Sequence, residues 1–381
     1  MHVGFLCNEY PPLPAGGIGT SVQNLARGLV DLGHRVTVVG WHARGEAFDD
    51  GGVRVIMVPE SRVPRTGWLI NRLRARAALA RLVREEALDI LEVPDWVGPG
   101  AGIRPGCPVV VRCHGTATYF GHLTGEAVRP SVRWAEALTF RGADALGAVS
   151  RFTADVTTRL FGLSRPFQVL YNGLDTERFT PGDAPASREP TVLYFGTLVR
   201  KKGVLDLPAI FSRVVELWPD VCFALLGRDS RDRRTGSAST WALLRDALSP
   251  AARERTEYLG RLPPDEVAAH VARAAVCVFP SYAEAFPMAW LEAMACASPL
   301  VAYDIGWARE SVEDGVSGVL VPPGDAGAVA REVTALLADA GRRAVMGAAA
   351  RRRVETLFST EAVARRSMDW YRSTLEAHRA R

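Results

Sequence analysis

Twice along this chain, short apolar runs alternate with segments of helical period, and one stretch with neither pattern separates the two series. The first series is HVGFLC (2–7), RVTVVG (35–40), VRVIMV (53–58), ALDILEV (87–93), PVVVRC (108–113), ALGAVS (145–150) and PFQVLYN (166–172). Runs that are apolar at nearly every position suit strands covered on both faces, the condition of a parallel sheet. The helical segments between them supply the crossovers that parallel pairing requires. In TSVQNLARGLVDLG (20–33), Thr20 is the expected cap and Gly33 the expected stop.

Residues 173–190, GLDTERFTPGDAPASREP, collect Gly, Pro, Asp and Ser without period and read as a linker. Beyond it the alternation restarts with TVLYFG (191–196), VCFALLG (221–227), TEYLG (256–260), VCVFPS (276–281), PLVAY (299–303) and GVLV (318–321). Helices are expected near 204–217, 241–248, 264–274, 287–297 and 326–340. The pattern predicts an α/β fold of two doubly wound, Rossmann-like domains facing each other across a cleft. One spans 1–172 and the other 191–355, and a helix over 356–381 is expected to pack back on the first.

A net charge of +4 is too small for a general nucleic-acid binder, and 48% apolar residues exclude a disordered chain. The N-terminus reads as a strand rather than a leader, and no apolar run reaches about 18 residues, so a cytoplasmic protein is expected. Six cysteines without CxxC spacing read as free thiols, with a Cys107–Cys113 bridge the less favoured option. No His/Cys cluster has metal-ligand spacing, and no metal is expected. Of 46 basic residues 44 are Arg, and the two lysines, Lys201 and Lys202, are adjacent. Lysines that survive such a bias mark a place needing a compact ammonium, or are a chance surface pair.

Three segments follow strand ends and precede helices, where open α/β sheets bind ligands. PPLPAGGIGTS offers Gly16, Gly17 and Gly19 for close backbone approach to a diphosphate, in a GGxG rather than a GxGxxG spacing. YFGTLVRKKG (194–203) carries Arg200, Lys201 and Lys202. PSYAEAFPMAWLEAMACASPLVAYDIG (280–306) places Glu284 before a helix and Glu292 within it, where a carboxylate suits a sugar or ribose diol. Each is weak alone: glycines are often only turn residues, and a glutamate near a helix start is favoured by the dipole.

In order, and with RCHG (112–115), VSRFTADV (149–156), YNGLDTERFTP (171–181) and GVSGVLVPPGD (315–325), these segments resemble glycosyltransferase family 4, retaining enzymes of the GT-B fold. The resemblance covers almost the whole chain. It implies transfer of a sugar from a nucleotide diphosphate sugar to an acceptor hydroxyl, without metal or other cofactor, in making a glycosylated small molecule, polysaccharide or glycolipid. Carried over by position, Gly16 and Gly17 lie against the donor diphosphate and Lys202 pairs with it, assisted by Arg200. Glu292 holds the ribose hydroxyls and Glu284 the donor sugar. The backbone of Phe286, Pro287 and Met288 follows the sugar and phosphate, and His114 lies close to donor sugar and acceptor. Lys202, Glu284 and His114 are thus the expected catalytic residues.

The chain departs from the family pattern at Thr197, where Arg is usual, and at Ala285-Phe286-Pro287, where Gly-Phe-Gly is usual. Trp307 stands where a second glycine is common, and the long polar run RDSRDRRTGSAST follows LLG. The base and the sugar are therefore left unassigned. The alternative within this fold is a phosphorylase, or a sugar-nucleotide hydrolase or epimerase. A nicotinamide oxidoreductase and a silent sugar-nucleotide binder are the outlying classes. The acceptor is a soluble glycoside or lipid-linked. Asp95, with Glu92, is a candidate to face it. NRLRARAALARLVREE (71–86) is either a basic helix for peripheral contact with the inner face of a membrane or, the favoured reading, a helix packed on the sheet.

Overall fold

The computed structural model describes residues 1–13, 16–43, 45–64, 66–182 and 190–380. Pro14 and Ala15 of the glycine-rich loop, and residues 183–189 of the expected linker, lie outside the described residues. The chain divides into two units, Met1–Leu174 with Phe358–Arg381, and Asp175–Leu357. The second boundary falls just after the helix Ala340–Leu357, which runs across the expected break at 355/356.

The first unit is built on eight strands: β1 (His2–Leu6), β2 (Arg35–His42), β3 (Glu46–Asp50), β4 (Val53–Pro59), β5 (Ile90–Pro94), β6 (Val109–Cys113), β7 (Ala145–Ala148) and β8 (Phe167–Val169). Their order is β3-β4-β2-β1-β5-β6-β7-β8, parallel except where β3 runs antiparallel on β4. Alternate residues feed two cores. Val3, Phe5, Val36, Val38, Val53 and Val55 face one, with Leu25 and Leu29 of the helix Gly17–Asp31 and Met368 and Tyr371 of the helix Thr360–Arg379. Leu6, Val39, Leu91, Val93 and Val111 face the other, with Ala75, Leu79 and Leu82 of the helix Gly67–Glu86. Both faces are covered, so the strands read as near-continuous apolar runs. EAFDD, which forms β3, is polar because it lies at the sheet edge, and the strand expectations above do not include it.

The second unit has six parallel strands, β9 (Thr191–Phe195), β10 (Cys222–Leu226), β11 (Thr256–Gly260), β12 (Val276–Phe279), β13 (Leu300–Tyr303) and β14 (Val319–Val321), in the order β11-β10-β9-β12-β13-β14. The winding reverses between β9 and β12. It reverses likewise between β1 and β5 in the first unit. The carboxyl ends of those strand pairs are the topological switch points where doubly wound sheets bind ligands.

Cys107 and Cys113 are both unbridged thiols, which removes the bridge between them. Among the described residues no helix is long and apolar enough to cross a membrane. The helix Gly67–Glu86 buries Gly67, Asn71, Ala75, Leu79 and Leu82 as one stripe, as the packed reading of 71–86 requires.

Candidate active site

In the second unit, the chain leaving β9 turns at Gly196 and forms a single 3₁₀ turn, Arg200–Lys202. Gly203 ends that turn with φ +66°, and a Cβ there would lie 1.7 Å from the Pro280 carbonyl oxygen. Only glycine admits both the left-handed backbone and this approach, so the lysine turn sits directly against the loop after β12. The Lys201 carbonyl accepts from the amides of Tyr282 (2.9 Å) and Ala283 (3.1 Å), which clamps the two loops together. The consequence is an ion pair at the switch point: Lys202 Nζ lies 2.7 Å from Glu284 Oε1. The two side chains keep 21% and 12% of their surface exposed, so a ligand can compete for either.

Glu284 leads into the helix Met288–Ala295, capped at its N-terminus by Pro287 with no side-chain hydrogen bond. Its first amides therefore carry no capping side chain. Phe286 and Pro287 are buried, Met288 partly so. Glu292, one turn further and partly buried, has its carboxyl pushed up to about 7 by burial, while the Lys202 ammonium pulls it back. Trp307 is fully buried with its ring 4.7 Å from that of Trp290, so the residue replacing a family glycine is core here.

Arg200 does not add its charge to that of Lys202 at the switch point; it is committed to Asp232. Its Nε and Nη2 donate to the two oxygens of Asp232 at 3.0 and 2.8 Å. That pairing, with the amide and hydroxyl of Thr235, holds the Asp232 carboxyl well below the usual range. The polar run after β10 is thus an ordered loop. Asp229 holds its far end, accepting from the Ser239 hydroxyl and the amides of Thr240 and Trp241.

In the first unit, the helix Gly17–Asp31 begins three residues before the expected cap: Gly16 is the N-cap and Thr20 lies inside. Thr20 cannot cap from within the helix, and Glu9 takes the role. Its carboxylate accepts from the amides of Gly16 (3.2 Å) and Gly19 (3.1 Å). A side-chain anion therefore occupies two amides at the place given to the donor diphosphate, while among the described residues beyond its own turn nothing lies within 4 Å of the Gly17 Cβ position. Glu9 lies just upstream of the glycine-rich segment, and its spacing of seven from Gly16 is the signal the sequence offers for this role.

His114 sits at the tip of β6, with its imidazole pushed down to about 3 by burial and by Arg112, so it is neutral near pH 7. Among the described residues no group hydrogen-bonds its ring nitrogens. Asp95 and Glu92 are not placed to face an acceptor. Asp95 is fully buried; it accepts from the Cys113 thiol (2.8 Å) and the His114 amide (2.8 Å), and burial pushes it up to about 6. It positions the strand tip that carries His114. Glu92 is buried in a two-point pair with Arg112 (2.8 and 3.0 Å) and accepts from Tyr371 (2.6 Å). That network fastens the C-terminal helix to the first unit's sheet.

Comparison with known proteins agrees with this fold. Residues 15–178 match Glycosyltransferase Family 4, and residues 189–339 match Glycosyl transferases group 1. The chain belongs to this family of GT-B glycosyltransferases. It is 28% identical to the glycogen synthase of Mycobacterium tuberculosis over 393 residues, covering 96% of this chain and 92% of that one. It is 29% identical to the GDP-mannose-dependent alpha-(1-6)-phosphatidylinositol monomannoside mannosyltransferase of Mycolicibacterium smegmatis over 372 residues, covering 90% and 91%. The fold is similar to that of sucrose-phosphate synthase from Thermosynechococcus elongatus, with a TM-score of 0.82, 22% identity and coverage of 99% and 100%. The chain is thus a glycosyltransferase.

Proposed function

We propose that this glycosyltransferase takes its sugar from a nucleoside diphosphate sugar and transfers it to an acceptor hydroxyl with retention at the anomeric carbon. The observation that carries this reading is the Lys202–Glu284 pair at the switch point of the second unit, beside Glu292 and a helix start without a side-chain cap. A diphosphate competes with Glu284 for the Lys202 ammonium, and the released carboxylate is then available to a donor-sugar hydroxyl. Glu292 accepts from the ribose diol, and the backbone at Phe286–Met288 leads along the sugar and phosphate. A relative that depends on GDP-mannose supports a nucleotide sugar as donor.

In the step itself, the bond from the anomeric carbon to the β-phosphate oxygen breaks and the acceptor oxygen bonds that carbon on the same face. The acceptor proton passes to the departing phosphate. Lys202 and the amides at the start of the Met288 helix stabilise the charge on the leaving group, which is where preorganised donors contribute most. The same donors make the reaction metal-independent. His114, being neutral, acts through hydrogen bonding rather than charge. Arg200 acts through the Asp232 loop rather than by direct contact. The test is to incubate the enzyme with UDP-, GDP- and ADP-sugars and an acceptor panel in excess chelator, reading anomeric configuration by proton NMR. Transfer with retention is expected; an inverted product, or activity abolished by the chelator, would contradict the reading.

A further inference from the structure

The first unit has its own switch point, between β1 and β5, and a cavity of about 590 Å³ opens there. That size suits a small-molecule site. Four tryptophans from four different elements line it: Trp41 near the end of β2, Trp68 on the helix Gly67–Glu86, Trp96 after β5, and Trp134 on the helix Pro130–Gly142. Trp68, Trp96 and Trp134 are 54%, 41% and 60% exposed, so the fold gains little from burying them and their faces remain available.

Arg72 reaches into the same cavity. Its Nη2 donates to the Gly98 carbonyl (2.8 Å), its Nη1 to the Trp68 carbonyl (3.2 Å), and its guanidinium carbon lies 5.3 Å from the Trp68 ring centroid. Among the described residues its Nε is buried without a partner. Among the described residues no carboxylate lies within 4.0 Å of it, so the positive charge has no counter-ion. Glu9, the acidic residue of the lining, already has its carboxylate on the Gly16 and Gly19 amides. A half-buried guanidinium cannot shed its proton, so an anion entering the cavity is the means of balancing its charge.

We propose that this cavity binds the acceptor of the transferred sugar, a small molecule that offers a carboxylate or phosphate to Arg72 and a flat apolar face to the tryptophans. The word acceptor rests on the transferase reading above; the binding chemistry does not. A membrane surface fits less well, because the site is concave and Arg72 is turned into it. Other arginines of the same helix are engaged locally, Arg74 with the Pro59 carbonyl and Arg81 with Glu85.

The test titrates the full chain, without donor, with 4-hydroxybenzoate, phenyl phosphate and the neutral 4-hydroxybenzamide, following tryptophan fluorescence. One or both anions should bind at least about tenfold tighter than the amide, one unpaired charge being worth about 1.4 kcal/mol or more. The tighter anion identifies the acid group. Arg72→Gln should bring the anions to the amide's level, and Trp134→Ala, at an exposed position, should weaken all three several-fold. Equal binding of the three probes, no binding, or an anion preference that survives Arg72→Gln would overturn the proposal. So would Arg72-dependent binding to phosphatidylglycerol vesicles that the probes fail to displace. Nucleoside diphosphate binding measured on the same samples separates failure of this inference from failure of the donor assignment.

Discussion

Replacing Glu292 by Gln should make the unliganded protein more stable and the liganded one weaker. Burial raises the Glu292 carboxyl from an ordinary 4.5 to about 7. A group whose folded-state pKa is raised contributes stability that is complete below its unfolded value and is lost as pH rises through the folded one. For Glu292 the loss begins near pH 4.5 and is complete just above pH 7. At about 1.4 kcal/mol per pH unit, the gap is worth at most about 3.5 kcal/mol, less whatever water at this partly buried site screens. Glu292→Gln does not ionise, so urea unfolding should show no gain from the lost charge at pH 4 and a gain of up to about 3.5 kcal/mol at pH 8. Nucleoside diphosphate binding should weaken at the same time, because an amide accepts poorly from two neighbouring hydroxyls. A stability difference independent of pH, or a variant less stable than wild type at pH 8, would refute the reasoning.

Arg112→Met leaves Glu92 buried without its partner and should cost about 3–5 kcal/mol in urea unfolding, with much of the loss recovered in the double variant with Glu92→Met. Gly203→Ala forces a side chain into the left-handed region and onto the Pro280 carbonyl, so it should lower the melting temperature and impair nucleotide binding together. Unchanged melting would show that the loops are not clamped as described. Glu9→Ala removes the carboxylate from the Gly16 and Gly19 amides and should cost about 1 kcal/mol at low salt, less as salt is added.

The frame of the protein was legible because parallel strands carry their own signature. β1, β2, β5 and β6 are apolar on both faces and stand out from any helical period. β3 was not legible: EAFDD at an edge looks like a loop until β4 is there to pair with it. The lysine turn and the two glutamates could be picked out, since a pair of lysines among 44 arginines and a Glu-x7-Glu spacing are visible in one dimension. What charges do inside the fold was hidden. Glu92 and Asp95 look like surface carboxylates at a strand tip, but Glu92 is partnered by Arg112, 20 residues on, and Tyr371, 279 residues on, and Asp95 by the Cys113 thiol and the His114 amide. Arg200 looks like a donor ligand because Asp232 lies 32 residues away. Arg72 looks like one charge among several in a helix, because its cavity is assembled from other elements distant in the chain.

The most direct measurement of the central claim is calorimetric titration of UDP, GDP and ADP into wild type and Lys202→Ala. At least one nucleotide should bind wild type in the micromolar range. Lys202→Ala should bind it about 10- to 100-fold more weakly, with a thermal unfolding profile showing the fold intact, as expected for a lost charge-assisted contact worth about 1.5–3 kcal/mol. A folded Lys202→Ala that binds as tightly as wild type, or a wild type that binds none of the three, would contradict the donor site placed at Lys202, Glu284 and Glu292.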